Sequence, residues 1–118
     1  MDAHTRYTIL FKAIEELGDG VAIVEGKNDA SALQALGVER IVLASSATRL
    51  AGELEGKVFL LFDFDQEGER KTREYADAFF NEGKIADVRL RDKFRTALGI
   101  RCFEDAARRA EALFENIR

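Results

Sequence analysis

The stretch KVFLLFDFDQEGE, residues 57–69, drives the apolar run Val58 to Phe62 directly into carboxylates at Asp63, Asp65, Glu67 and Glu69. An apolar run this short and continuous fits a strand covered on both faces, and such strands belong to parallel sheets. Like charges crowded at the end of a buried strand raise one another's pKa unless something compensates them. The stretch thus predicts a sheet whose C-terminal edge carries a site.

The flanking sequence repeats the pattern. VAIVE (21–25) is a second run, ending on Glu25 and followed by Gly26-Lys27-Asn28-Asp29, and RIVLA (40–44) is a third. Between them Asn28 is placed to cap a helix DASALQAL that Gly37 stops, and a short helical turn spans 48–54 with Gly56 after it. Residues 66–82 read as a longer helix with Ala76, Phe79 and Phe80 inward and Gly83 ending it, and ADVRL (86–90) reads as a polar, peripheral fourth strand. Leu10, Ala13, Ile14 and Leu17 make a helix of 5–17. A stripe through Phe103, Ala106, Ala107, Ala110, Leu113, Phe114 and Ile117 makes a closing helix of 103–117. Alternating strands and helices predict a compact α/β fold of about four mainly parallel strands with helices on both faces. In such sheets ligands bind beyond the strand C-termini, so neighbouring strands would bring Glu25 to Asp63 and Asp65.

A chain of 118 residues without proline or a Gly/Ser-rich linker is expected to form a single domain, 1–118. No apolar run approaches the roughly 18 residues a membrane span needs, and MDAHTRYTIL lacks the apolar core of a signal peptide. A cytoplasmic, non-membrane protein is expected. Cys102 and His4 are the only residues of their kinds, which excludes an internal disulfide and a Cys/His zinc cluster, so any metal must be held by oxygen. The net charge of −4 argues mildly against coating nucleic acid by charge alone. Residues 59–118 nevertheless hold 12 of the 18 basic residues, including the run RLRDKFR (89–95).

Several motifs compete for the carboxylates. Asp63 to Glu74 nearly satisfies a calcium EF-hand loop, but that loop follows a helix, and Arg70 stands where an apolar residue is needed. A P-loop fails because five residues separate Gly20 from Gly26-Lys27 and Asn28 replaces the Ser/Thr. An aspartyl-phosphatase reading of Asp63-Phe64-Asp65 meets Glu67 where Thr or Val is usual. The bland readings are that Glu25 pairs with Lys27, that Asp29 is an acid at a helix N-terminus, and that 89–95 is a solvated segment with Leu90 and Phe94 tucked in. Against them stands an all-oxygen set that suits a hard cation, with Mg²⁺ preferring one or two carboxylates plus water and phosphate. Phe64 is expected in the core, Cys102 as a small core residue, and Tyr7 and Tyr75 as helix residues.

Taken together, VAIVEGKND (21–29) and LLFDFDQEGER (60–70) resemble the Toprim domain of topoisomerases, primases and ribonuclease M5-like nucleases. The likeness covers about residues 20–90, and in size and in RLRDKF it extends to stand-alone archaeal Toprim proteins. It implies a Rossmann-like Toprim fold with Glu25 as metal ligand or general acid/base. Asp63 and Asp65 would hold one or two Mg²⁺ ions, replaceable by Mn²⁺, Glu67 would be an accessory acid, and Lys27 would lie near phosphate. The expected function is Mg²⁺-dependent nuclease or phosphotransfer chemistry on nucleic-acid phosphodiesters, RNA or DNA, with Arg70, Lys71, Arg73 and 89–95 touching phosphate. The alternative is a non-catalytic Mg²⁺-binding module serving a nucleic-acid-processing complex, with a protein partner or a second copy as companion.

Overall fold

In the computed structural model, which describes residues 1–117, the elements run in the order α1 (Ala3–Leu17), β1 (Val21–Val24), α2 (Lys27–Ala35), β2 (Ile41–Leu43), α3 (Ala47–Glu53), β3 (Val58–Leu60), α4 (Gln66–Asn81), α5 (Leu90–Leu98) and α6 (Ala106–Glu115), with a 3-10 turn at Phe103–Asp105 before α6. The strands form one parallel sheet ordered β2-β1-β3, with Ile23 opposite Val42 on one side and Leu60 on the other. Helices flank both faces. Alternate strand residues supply two cores: Ala22, Val24, Phe59 and Leu61 join α1, α2, α5 and α6, while Ile23, Val58, Leu60 and Phe62 join α3 and α4.

The crossover from β1 to β2 carries α2 on the first face, and the return from β2 past β1 to β3 carries α3 on the opposite face. Right-handed connections require this change of face when the direction of travel reverses. The reversal leaves a crevice beyond the C-terminal ends of β1 and β3, the topological switch point where open α/β sheets bind ligands.

The fourth strand is reduced to one parallel bridge, Phe59 to Asp87. The Asp87 carboxylate accepts hydrogen bonds from Arg89 N (2.9 Å) and Leu90 N (2.8 Å), which turns the chain into α5 before a strand can extend. The basic run is therefore mostly helical, part of α5, which buries Leu90, Arg91, Phe94, Ala97 and Leu98. The long helix α4 turns Gly68, Thr72, Tyr75 and Phe79 inward at three- and four-residue spacing, so Phe80, expected inside, is 70% exposed. Helix α2 starts at Lys27, before the expected cap Asn28, because Asp29 Oδ2 accepts from Gly26 N at 3.0 Å. Among the described residues no helix is long and apolar enough to cross a membrane.

Candidate functional site

Glu25 follows β1 and Asp63 follows β3, so adjacent parallel strands deliver both carboxylates to the crevice. Asp63 N donates to Glu25 Oε2 at 3.1 Å, and Asp63 Oδ1 accepts from Phe103 N at 2.9 Å. Burial, and the neighbouring Glu25 and Asp29 carboxyls, push Asp63 up to about 7 against the opposing help of the Phe103 N–H. Asp29 is itself only 7% exposed, and burial, then Glu25 and Glu104, hold its pKa above the usual carboxyl value despite its bond from Gly26. One internal cation answers this charge: Lys71 Nζ lies 3.3 Å from Glu25 Oε1, with both side chains largely buried.

A second cation braces the strand end from behind. Arg91, 5% exposed, donates to Phe62 O (3.1 Å), Asp63 O (3.0 Å) and Glu69 Oε1 (2.6 Å), and its guanidinium lies over the Phe64 ring at 4.4 Å. Phe64 stacks on Phe103 and packs at the core edge, as the sequence suggests. Gly68 permits the close approach of α4: a Cβ there would sit 1.8 Å from Asp63 O. The glycine of Asp63-Phe64-Asp65-Gln66-Glu67-Gly68 thus serves helix-to-strand packing, which is why the stretch imitates a calcium loop without being one.

The structure brings together Glu25 and Asp63 of the expected trio. Asp65 is diverted: its Oδ1 accepts from Gly68 N at 2.7 Å and caps α4, and it lines a neighbouring pocket of about 430 Å³. Among the described residues no group of three or more His, Cys, Asp or Glu is arranged to hold a metal ion. Glu67 pairs with Arg70 on the exposed side of α4, and Lys27 is exposed at the start of α2. Of the basic residues expected on phosphate, Arg70 is engaged with Glu67 and Glu74, Lys71 with Glu25, and Arg91 is buried. Tyr75 is fixed in the core, its hydroxyl accepting from Ser45 N (3.0 Å) and donating to Ser45 O (3.2 Å). Cys102 lines the 430 Å³ pocket, where burial and the carboxylates of Asp63, Asp105, Glu104 and Asp65 push its thiol up and keep it protonated. Asp29 is the acid in the first turn of a helix that the sequence suggests, whereas Lys71 and Arg91 are the two site residues that sequence reasoning places elsewhere, on phosphate. Each depends on a partner distant in the chain, and local spacing does not signal it.

No family model matches the chain. It is 34% identical over 94 residues to a UPF0292 protein of Archaeoglobus fulgidus, an alignment covering 74% of this chain and 76% of the relative. It is 36% identical over 81 residues to a UPF0292 protein of Pyrococcus furiosus, covering 63% of this chain and 62% of that one. A solved structure of an Aquifex aeolicus protein superposes with a TM-score of 0.71 at 28% identity, over 83% of this chain and 94% of that one. These findings overturn the Toprim assignment drawn from the two motifs: no Toprim model matches, and both relatives carry the UPF0292 name. Acidic residues at strand ends arise wherever a parallel sheet presents a polar crevice, so two short motifs do not fix a family.

Proposed function

Because this chain belongs to the UPF0292 family, a name that assigns no activity, we propose from its own crevice that it is a divalent-cation-dependent protein acting on nucleic-acid phosphodiesters. The observation that carries this reading is the pairing of Glu25 and Asp63 at the switch point, where burial and mutual proximity lift Asp63 to about 7. Such a pair is relieved by a proton or by a cation. Two carboxylates suit Mg²⁺, which keeps several waters and completes its shell with substrate phosphate, so Glu25 and Asp63 would hold it and Asp65 lies at the border of the site. When bound, the ion supplies charge neutralisation and a more acidic water. The chain's own residues set the rest: Lys71 orients Glu25, the Phe103 N–H orients Asp63, and Arg91 fixes the backbone beneath it.

Calorimetry with Mg²⁺ or Mn²⁺ tests the cation, with proton release on binding that grows toward one per ion, and affinity that weakens, as pH falls from about 8 to about 6. Mg²⁺-dependent cleavage of labelled RNA and DNA tests the reaction. Cleavage that survives in Glu25→Gln or Asp63→Asn overturns the catalytic reading. The Lys71–Glu25 ion pair favours one second reading, in which the internal cation leaves a weak site that binds nucleic acid without cutting it. That outcome would appear as retained binding with no cleavage of any strand.

A further inference from the structure

Three guanidinium groups line a pocket of about 430 Å³ next to the carboxylate crevice, whose lining includes Asp65, Arg101, Cys102, Asp105, Arg108 and Arg109. Arg109 is preset. Its Nε donates to Leu98 O (3.0 Å) and its Nη2 to Gly99 O (3.2 Å), the carbonyls at the end of α5. Gly99 both ends α5 at φ 66° and makes room, since a Cβ there would lie 2.7 Å from Arg109 Nη2. A guanidinium already fixed in this way loses little freedom when it meets a ligand.

Arg108 pairs with Asp105 at 3.3 Å on the exposed surface, a contact worth little in water and readily exchanged. Arg101 has no hydrogen-bond or ion-pair partner for its guanidinium among the described residues. Its backbone carbonyl accepts from Phe64 N at 2.8 Å, which ties the pocket loop to the strand end between Asp63 and Asp65. The two carboxylates of the lining are engaged, Asp65 by Gly68 N and Asp105 by Arg108. Three guanidiniums thus face an open pocket in a chain of net charge −4, and planar forked donors recognise phosphate oxygens.

We propose that this pocket binds a phosphate of the nucleic-acid strand adjacent to the one presented to Glu25 and Asp63, an assignment that rests on reading the crevice as a phosphodiester site. Arg109 supplies the fixed donor, and Arg101 and Arg108 supply charge. Fluorescence anisotropy with short fluorescein-labelled single-stranded RNA and DNA, in EDTA, compares the protein with its Arg101→Gln/Arg108→Gln variant. The double variant changes only exposed side chains, and circular dichroism verifies its fold. It is expected to bind about tenfold more weakly, and the slope of log affinity against log salt is expected to shrink by roughly 1.4, the share of two phosphate contacts on a single strand. Inorganic phosphate and nucleoside monophosphates are expected to compete only far above the strand's own concentration range.

Unchanged affinity and slope in the double variant overturn the proposal. Competition by free phosphate on equal terms with the strand overturns the assignment to a nucleic acid. If binding depends on the arginines while Mg²⁺ yields no cleavage, the pocket stands and the catalytic reading falls. If cleavage depends on Glu25 and Asp63 while binding ignores the arginines, the reverse holds.

Discussion

Asp63 receives a hydrogen bond from Phe103 N and sits beside Glu25 and Asp29, yet burial outweighs the bond and lifts its pKa from 3.8 to about 7. The folded state therefore holds that proton more tightly than the unfolded chain does. This contribution is full below about pH 4 and is lost as pH rises through 7. Without divalent cation, Asp63→Asn is expected to be more stable than the parent at pH 8 by about 1 to 2 kcal/mol, a figure reduced for the water reaching a partly buried group, and the gap should close toward pH 4 in thermal melts. Equal melting differences at both pH values would contradict this. Lys71, 3.3 Å from Glu25, competes with any external cation. Lys71→Gln is expected to tighten Mg²⁺ binding by roughly three- to tenfold in calorimetry, since an ion pair of about 1 kcal/mol no longer opposes it. Glu25 and Asp63 were legible in the sequence because each directly follows a recognisable apolar strand. The diversion of Asp65 was not, because an Asp before a helix reads equally as ligand or as cap.

At the scale of elements, the fit of α4 against the end of β3 turns on one absent methyl group. Replacing glycine by alanine inside a helix ordinarily gains about 1 kcal/mol. Here the Cβ would lie 1.8 Å from Asp63 O, a backbone atom, so overpacking dominates. Gly68→Ala is expected to lose about 2 to 3 kcal/mol in urea unfolding and to weaken Mg²⁺ binding along with it. On the same helix Tyr75 ties α4 to the loop after β2 through both backbone groups of Ser45. Tyr75→Phe is expected to cost about 1 to 2 kcal/mol while leaving Mg²⁺ affinity unchanged, which separates general stability from the site. Helix α5 shows why part of this layer was hidden in the sequence. Arg91 and Arg95 both lie over Phe64, at 4.4 and 4.7 Å, so a run that looks solvated is half turned inward. A buried arginine betrays itself only through its acceptors, Phe62 O, Asp63 O and Glu69 Oε1, which lie 29, 28 and 22 residues away.

At the scale of the molecule, the parallel sheet, the change of face between α2 and α3 and the resulting crevice follow from three apolar runs separated by helical segments. In the order β2-β1-β3 the pairing of β1 with β3 makes Glu25 and Asp63 neighbours, and handedness fixes the faces that α2 and α3 occupy. ADVRL has strand composition and so predicts a fourth strand, but the Asp87 carboxylate turns the chain into α5 after a single bridge. The loop 99–102 carried no periodic signal at all, yet it forms a wall of the arginine pocket and reaches Asp63 through Phe103.

That last contact makes the crevice depend on the end of the chain. The carboxylate crevice is closed by Phe103 N on Asp63 and by Arg101 O on Phe64 N, donor and acceptor from the final fifth of the chain. A chain ending before residue 100 would contain all three strand segments but neither of these clamps, and it would also lack Ile100, Phe103, Ala106 and Leu113 of the first core. Chains truncated at 98 lose core residues and clamps together, so the cooperativity of thermal unfolding and the Mg²⁺ affinity proposed for the crevice are expected to fall together, although its carboxylates precede the cut.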